Sequence, residues 1–349
     1  MSEEKKIKID KKILISAIKA ISFILVFVVL LEVLSLTIFS KSAATMYKNK
    51  HKNAYSYTNE IKDTIQIIAL GNSDLYSAVI PVKMWAENGY TSTIIASPRQ
   101  TVMESYSLLN DAVKNQKPDI VLIETDMLYN GVDISLDDAD EEETHLRELP
   151  IIPYLSNDQL TEDIKNHFSI FMLHDRWKQM VSKKDNSKAD DTICEHGYFF
   201  SKKIRKTYKN NYMDVTQKVE QIPDDSVFYL DKIKNLCDSI DAKLLLVELP
   251  SIVSWTYPRH NAVVQYAEEN GINFLDFNLL YKDIKLNFKR DFRDNGNHLN
   301  YYGARKVTTY LGNYINENYT LTDNRTNEEY AYWYEFKDKF IEKYGIKVF

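Results

Sequence analysis

The sequence predicts an α/β protein, in which helices connect the strands of a parallel sheet. The first observation is a series of short apolar runs typical of buried strands, at residues 65–70, 92–96, 119–124, 243–248 and 272–276. The second is the helical spacing of apolar residues between these runs, as in Val102, Tyr106, Leu109 and Val113. Strands separated by helices pair in parallel through right-handed crossovers.

The first 39 residues predict a membrane-spanning helix in front of this domain. Residues 1–12 carry five lysines, and residues 13–39 form an apolar run long enough to span the hydrocarbon layer. Lysines before the span place residues 1–12 in the cytoplasm as a tail and the domain outside. Small residues between positions 40 and 44 also fit a cleaved signal peptide, although the apolar run exceeds a usual signal core. We predict an uncleaved single-pass anchor in the cell membrane, in which Glu32 pairs with a partner helix or leans into the headgroups.

The composition limits the class of protein. The chain has 349 residues, 44% of them hydrophobic, which suffices for one large or two modest domains with a sizeable core. Its net charge of -6 argues against a nucleic-acid binder, because phosphate contact needs a basic surface. We therefore expect no nucleic-acid partner.

The chain beyond the anchor divides into predicted segments. Residues 40–62 are a polar stalk, 63–318 form the α/β domain, and 319–349 are an aromatic-rich extension that packs across the domain or at the membrane face. Residues 131–225 interrupt the alternation of strands and helices, and we predict an inserted cap over the sheet edge. Within it, the acidic run Asp133 to Glu143 is either a calcium loop or a solvated loop, and it lacks EF-hand spacing.

Candidate catalytic residues stand where the chain turns at the sheet edge. Ser73 follows the first predicted strand, so its hydroxyl projects at the carboxyl edge beside the N–H groups of a helix start. Asp294 and His298 share a late loop before the last helix of the domain. An imidazole that acts as general base needs a carboxylate at its other nitrogen. We predict a catalytic Ser73, His298 and Asp294; the alternative is that all three only cap local structure.

This chain order resembles the SGNH (GDSL-like) hydrolase superfamily over residues 63–318, most of the chain. The resemblance implies a three-layer α/β/α parallel-sheet fold (SGNH-like, flavodoxin-like) and serine-dependent ester chemistry, with Ser73 as nucleophile and His298 as base. An N-terminal anchor before such a domain is similar to the proteins that assist teichoic-acid D-alanylation and polysaccharide O-acetylation. That likeness implies two partners, an integral membrane-bound O-acyltransferase and a cell-envelope polymer.

Two departures from the family pattern concern the acid and the oxyanion donors. The family spacing D-x-x-H would put the acid at Asn295, whereas Asp294 lies one residue earlier and needs an extra residue to bulge. No glycine occurs between Gly89 and Gly131, so the family's oxyanion glycine has no counterpart. The remaining oxyanion candidates near predicted strand ends are Ser73, Arg99, Gln100, Asp126 and Asn130.

The sequence predicts no cofactor and no metal ion. The six histidines besides His298, of seven in the chain, show no ligand-like spacing. The two cysteines, Cys194 and Cys237, also lack metal-ligand spacing. They either form one disulfide outside the cytoplasm or remain free thiols.

Three functions remain open from the sequence. The first is an extracytoplasmic serine esterase or acyltransferase that handles acetyl or D-alanyl esters of envelope polysaccharide or teichoic acid through an acyl-serine. The second is a noncatalytic binding module, which the missing oxyanion glycine and the shifted Asp294 favour. The third is a membrane scaffold for a partner acyltransferase, in which the anchor and Glu32 matter most.

Overall fold

The computed structural model describes residues 11–39, 52–130, 164, 167–168, 170–173 and 195–346. The acidic run Asp133 to Glu143 and Cys194 lie outside the described residues. The chain separates into two compact units, one of residues 1–41 with 154–183, the other of residues 42–153 with 184–349. Each unit is described by itself.

The first unit contains a long apolar helix. Helix α1 spans Lys11–Leu36, and its stretch Leu14–Leu36 is long and apolar enough to cross a membrane, by length and composition. Its apolar side chains are exposed, as expected of a surface that lipid would cover. Glu32 near the end of α1 lies 3.1 Å from His167, measured from Oε2 to Nε2, so this carboxylate has a partner within its own unit.

The second unit is built on a five-stranded parallel sheet. The strands are β1 (Ile67–Gly71), β2 (Ser92–Ala96), β3 (Ile120–Glu124), β4 (Lys243–Glu248) and β5 (Asn273–Asp276). Their order in the sheet is β2-β1-β3-β4-β5, and every pair is parallel. The first three strands are buried along their whole length, because helices cover both faces of the sheet. The predicted α/β fold class is confirmed.

Helices connect the strands as the apolar spacing predicts. They are α2 (Ser73–Ala78), α3 (Pro81–Asn88), α4 (Val102–Ala112), α5 (Asp224–Ser239), α6 (Tyr257–Asn270), α7 (Tyr301–Asn318) and α8 (Tyr332–Tyr344). Helix α4 begins with a complete capping box, in which Thr101 and Glu104 each bond the other's backbone N–H. Asn300 caps α7 through bonds from the backbone of Tyr302 and Gly303.

The last part of the predicted stalk belongs to the domain. Residues Lys52–Asn59 form a 3-10 helix rather than a free linker. Tyr55 and Tyr57 of this turn are buried, and the Tyr57 hydroxyl donates to Asp111 at 2.7 Å. Two tyrosines with apolar surface to cover thus attach residues 52–59 of the predicted stalk to the domain.

The aromatic C-terminal extension packs across the domain. Trp333 of α8 is fully buried, and its ring centroid lies 5.6 Å from that of Trp85 on α3. The His196 ring stacks on the other side of Trp333, with centroids 4.0 Å apart. Of the two alternatives from the sequence, packing across the domain is the one observed. Burial of aromatic surface against α3 explains why a segment so rich in rings ends the chain.

Trp333→Ala is expected to lower the free energy of unfolding by about 3–5 kcal/mol, because it empties the space between Trp85 and His196. Glu335→Ala, on the exposed side of the same helix, is expected to change it by less than about 0.5 kcal/mol. Urea unfolding followed by far-ultraviolet circular dichroism measures both. Equal losses in the two variants would contradict a stabilising role for this contact.

Candidate active site

Ser73 stands on the sharp corner between β1 and α2. The preceding Asn72 caps the helix, since its side-chain oxygen accepts from the Asp74 N–H at 2.8 Å. Gly71 ends the strand where a Cβ atom would lie 2.6 Å from the Glu124 Cβ, so only glycine fits this close approach. As the first residue of α2, Ser73 has a backbone N–H without an acceptor inside the helix. The corner thus presents a hydroxyl and a backbone donor at one place.

The structure brings Ser73, His298 and Asp294 into one hydrogen-bonded chain. The distance from Ser73 Oγ to His298 Nε2 is 2.9 Å, and from His298 Nδ1 to Asp294 Oδ2 it is 2.5 Å. We assign the neutral tautomer in which Nδ1 donates to the carboxylate and Nε2 accepts from the serine hydroxyl. The serine stands at the end of β1 and the histidine just before α7, and the order of their bonds is that of a Ser-His-Asp triad.

The extra residue between acid and base is accommodated by Gly296. Its φ of +97° lies in the left-handed region, and a Cβ atom there would come within 2.5 Å of Ile252 Cγ1. The resulting bulge lets Asp294 reach His298, while Asn295 is exposed. Asp294 Oδ1 also accepts the backbone N–H groups of Asn297 and His298, both at 2.9 Å. Of the two candidates for the partner of His298, Asp294 and Asn295, the structure has Asp294 in the hydrogen bond.

The environment keeps Asp294 ionised. Partial burial alone would raise the pKa of its carboxyl, but the hydrogen bonds from the His298 ring and backbone and from Asn297 lower it to about 2. A carboxylate in this state can steady the imidazolium that forms when His298 takes a proton.

Three more carboxyl groups lie buried beside Ser73. Asp74, Glu124 and Asp126 each offer an oxygen within 4.8 Å of the others. Burial is the main cause that raises the pKa of all three, and neighbouring carboxylates add to the shift at Asp74 and Glu124. The group therefore favours holding protons over carrying three negative charges. Asp74 Oδ1, which has no hydrogen-bond partner, lies 3.9 Å from His298 Nε2.

Protein donors already occupy most of the oxygens at which a cation could bind in this group. Glu124 accepts the backbone N–H groups of Asn72 and Asp126, both at 3.0 Å and one on each oxygen. Asp126 Oδ2 accepts from Asn72 Nδ2 at 3.0 Å, and Arg259 Nη1 lies 3.5 Å from Oδ1. A metal ion would compete with these bonds, and the absence of a metal stays a prediction.

The remaining predicted oxyanion donors, Arg99, Gln100 and Asn130, differ in their exposure and hydrogen bonds. Gln100 uses its amide nitrogen to bond Ile95 O and Ser105 Oγ, at 3.0 and 2.9 Å. Asn130 Nδ2 donates to Gln100 O at 3.3 Å. Arg99 is exposed, at a φ of +55°. Of the predicted oxyanion donors, Ser73 and Asp126 lie at the sheet edge near His298. Asp126 is joined to the Ser73 corner by its hydrogen bond with Asn72.

Arg293 is a charged neighbour that the sequence pattern did not reveal. Its guanidinium lies 4.4 Å from the Phe199 ring centroid, and its Nη1 is buried with no hydrogen-bond partner. Burial raises the pKa of Asp74 and of Tyr76, and the positive charge of Arg293 opposes both shifts. The sequence shows an arginine directly before Asp294. The spacing of the motif alone does not tell whether such an arginine is buried beside the site or exposed to solvent.

No protein-family model matches the sequence, and no curated protein matches it. The solved structures similar to this chain include a candidate acylhydrolase from Bacteroides fragilis and a GDSL-like lipase from Bacteroides thetaiotaomicron. Both share 12% identity and a TM-score of 0.37 over 78% of this chain, covering 97% of the first and 98% of the second. At a TM-score this low the likeness carries no argument about the function of this chain. The strand order β2-β1-β3-β4-β5, the serine after β1 and the late Asp–His loop are observations on this chain itself.

Asp294→Asn is expected to lower the rate of ester hydrolysis by roughly 10³–10⁴-fold, because an amide no longer holds the correct histidine tautomer. Asn295→Ala, the family-spaced position, is expected to change the rate by less than about threefold, since that side chain is exposed. Rates on a p-nitrophenyl ester measure both variants. A larger loss in Asn295→Ala would overturn the assignment of the acid.

Proposed function

We propose that this protein is a membrane-anchored serine esterase or acyltransferase that works through an acyl-serine on Ser73. The observation that supports this most directly is the continuous Ser73–His298–Asp294 hydrogen-bonded chain, 2.9 and 2.5 Å long in its two links. Side chains separated by more than 200 residues, as Ser73 and His298 are, meet in this geometry only if the fold aligns them. The pKa of Asp294, lowered to about 2, agrees with a carboxylate that supports a base.

The proposed reaction has two halves. Ser73 Oγ attacks the acyl carbonyl carbon while its proton passes to His298 Nε2, and the carbonyl oxygen becomes an oxyanion. The C–O bond to the leaving alcohol breaks as His298 returns the proton to that oxygen, which leaves an acyl-serine. A water molecule or an acceptor hydroxyl then attacks the acyl carbon and gives its proton to His298. The bond between the acyl carbon and Ser73 Oγ breaks as His298 returns the proton to Oγ, which restores the serine hydroxyl. Water gives hydrolysis, and an acceptor hydroxyl gives transfer.

We assign the oxyanion donors to the Ser73 backbone N–H and, once its carboxyl carries a proton, to Asp126. The Asp126 carboxyl is buried, and Asn72 fixes its orientation through a 3.0 Å bond. Burial raises its pKa more than the bond from Asn72 and the charge of Arg259 lower it. A buried neutral carboxylic acid can donate a hydrogen bond to an oxyanion, as an asparagine amide would. A protonated Asp126 then supplies the side-chain donor on the loop after β3.

The substrate class follows from the anchor. A helix able to cross a membrane, with lysines on its N-terminal side, supports a domain held outside the cell. The esters available there are the acetyl or D-alanyl groups of cell-envelope polysaccharide or teichoic acid. A membrane-bound O-acyltransferase is the partner that this arrangement fits, as donor or as recipient of the acyl group.

A fluorophosphonate is expected to label the purified chain on Ser73, because it reacts with a serine that a histidine activates. Labelling is expected to fall by at least about 10³-fold in Ser73→Ala and in His298→Ala. Mass spectrometry of the labelled peptide gives the position, and Ser77→Ala, one turn further along α2, serves as the matched control.

A second candidate function is a polymer-binding or scaffold protein that partners an acyltransferase without its own chemistry. The hydrogen bonds of Gln100 and Asn130 favour this second function. Both side-chain amides donate to backbone oxygens of the protein, so two of the predicted oxyanion donors are already engaged. Absence of labelling in the folded wild-type chain would support this second function and contradict the first.

Asp126→Asn is expected to keep the hydrolysis rate within about tenfold of wild type, whereas Asp126→Ala is expected to lose about 100-fold. In the wild type the rate falls as the pH rises through the raised pKa of Asp126, because the donor loses its proton. The asparagine variant keeps its donor and should lose this alkaline decline. Rates across a pH series test it, and an unchanged alkaline decline in Asp126→Asn would contradict the assignment.

A further inference from the structure

A basic depression lies next to the active-site loop, residues 294–298, and outside the catalytic residues themselves. It has a volume of about 510 Å³, within the range typical of ligand sites. Four lysines line it, and three aromatic rings form its apolar walls. We call it the lysine trough; its lysines are Lys209, Lys282, Lys285 and Lys289, and its rings are Tyr208, Tyr281 and Phe288.

The charge of the lysine trough stands out against the acidic chain. The net charge of the protein is -6, yet residues 198–213, which supply one side of the trough, contain five lysines or arginines and no acidic residue. None of the four trough lysines forms an ion pair with an acidic side chain among the residues that the structure describes. Four unpaired ammonium groups around one depression repel each other, and a bound anion would relieve that repulsion.

The aromatic walls limit what kind of anion fits. The Lys209 ammonium lies 4.7 Å from the Tyr281 ring centroid, and the Lys289 ammonium 5.6 Å from that of Tyr208. These rings offer flat apolar surfaces between the charges, which suit the carbon skeleton of a polyol or sugar. Tyr208 is exposed, whereas Tyr281 and Phe288 are partly buried in the trough, unlike the apolar side chains that a membrane-docking surface presents outward.

The trough is tied to the catalytic loop by Thr207. This buried residue lines the trough, and its hydroxyl donates to Asn295 O at 3.4 Å. Its backbone N–H donates to Phe288 O at 2.9 Å, which joins the two sides of the trough. Gly296 lies against the same hydroxyl, since a Cβ atom built on it would be 3.2 Å away. The trough therefore borders the loop that holds Asp294 and His298.

We propose that the lysine trough binds a polymer with regularly repeated negative charges on a polyol or sugar skeleton, and guides it past Ser73. The proposal that the polymer passes Ser73 rests on the proposed function, whereas the proposal that the trough binds the polymer does not. Phosphodiester and carboxylate groups share the chemistry that lysines recognise, a compact anion met by ammonium point charges. The acyl group to be removed or added would sit on a unit beside the anchored anions.

The test measures binding by the full Ser73→Ala chain in nonionic detergent, so that turnover cannot alter the probe. The probes are a linear poly(glycerol phosphate), polygalacturonate and neutral dextran. The trough variant replaces Lys209, Lys282, Lys285 and Lys289 by glutamine. The control variant makes the same change of charge at four exposed lysines elsewhere, Lys114, Lys117, Lys339 and Lys343.

We expect at least one anionic polymer to bind, at least about tenfold more weakly to the trough variant and within about twofold to the control variant. Binding should weaken as salt is added, because exposed charges are screened. Equal loss in both variants, equal binding of dextran, or no binding of either anionic polymer would overturn the proposal. Binding to phosphatidylglycerol vesicles without binding to either polymer would also overturn it.

Fluorophosphonate labelling separates this proposal from the proposed function. The four lysines do not touch the Ser73–His298–Asp294 chain, so a trough variant that retains Ser73 should label at the wild-type rate. Loss of polymer binding with unchanged labelling supports the trough as a separate subsite. Polymer binding in a wild-type chain that does not label would keep the trough and contradict the esterase.

Discussion

The structure depends on one buried carboxyl group at the end of β3. Glu124 is fully buried and accepts the backbone N–H of Asn72 on one oxygen and that of Asp126 on the other, each at 3.0 Å. These two bonds hold the loops after β1 and β3 against each other at the carboxyl edge of the sheet. Leaving both N–H groups without an acceptor in this buried position would cost about 1–3 kcal/mol each, so the loops have a strong reason to keep this geometry. Gly71 completes the approach, because any side chain there would collide with Glu124.

The same edge shifts the pKa values of two acidic groups in opposite directions. Asp294 is half-buried and accepts three hydrogen bonds, from two backbone N–H groups and one imidazole, so its pKa is lowered to about 2. Asp126 is more deeply buried, and burial outweighs the bond from Asn72 and the charge of Arg259, so its pKa is raised. Carboxyl groups whose pKa values are pushed apart in this way can take opposite roles, one as a carboxylate and the other as an acid. The proposed chemistry uses Asp294 as the carboxylate and Asp126 as the acid.

The later part of the predicted insertion, residues 199–207, forms the rim of the site. Its backbone bonds to three parts of the domain: Phe199 N donates to Tyr76 O at 2.7 Å, Arg205 N to Phe292 O at 2.9 Å, and Thr207 N to Phe288 O at 2.9 Å. Through these bonds one segment touches the nucleophile's helix, the approach to the active-site loop and the lysine trough. The rim thereby gives a physical connection between a polymer-binding surface and the acylation site that are both proposed.

The sequence by itself determined the parallel α/β sheet, the positions of its strands to within a few residues, and the places of Ser73, Asp294 and His298 at its edge. These features are local: apolar spacing, helix caps and the residues that follow strand ends are all visible in short stretches. The tertiary structure alone decided that Asp294 rather than Asn295 meets His298, because the bulge at Gly296 is set by Ile252, more than 40 residues earlier. It also decided that the side chains of Gln100 and Asn130 are engaged in other hydrogen bonds, and that Tyr55 and Tyr57 are buried in the domain. It brought four lysines from two distant segments around one depression. Each of these depends on contacts between residues far apart in the chain, which no local pattern encodes.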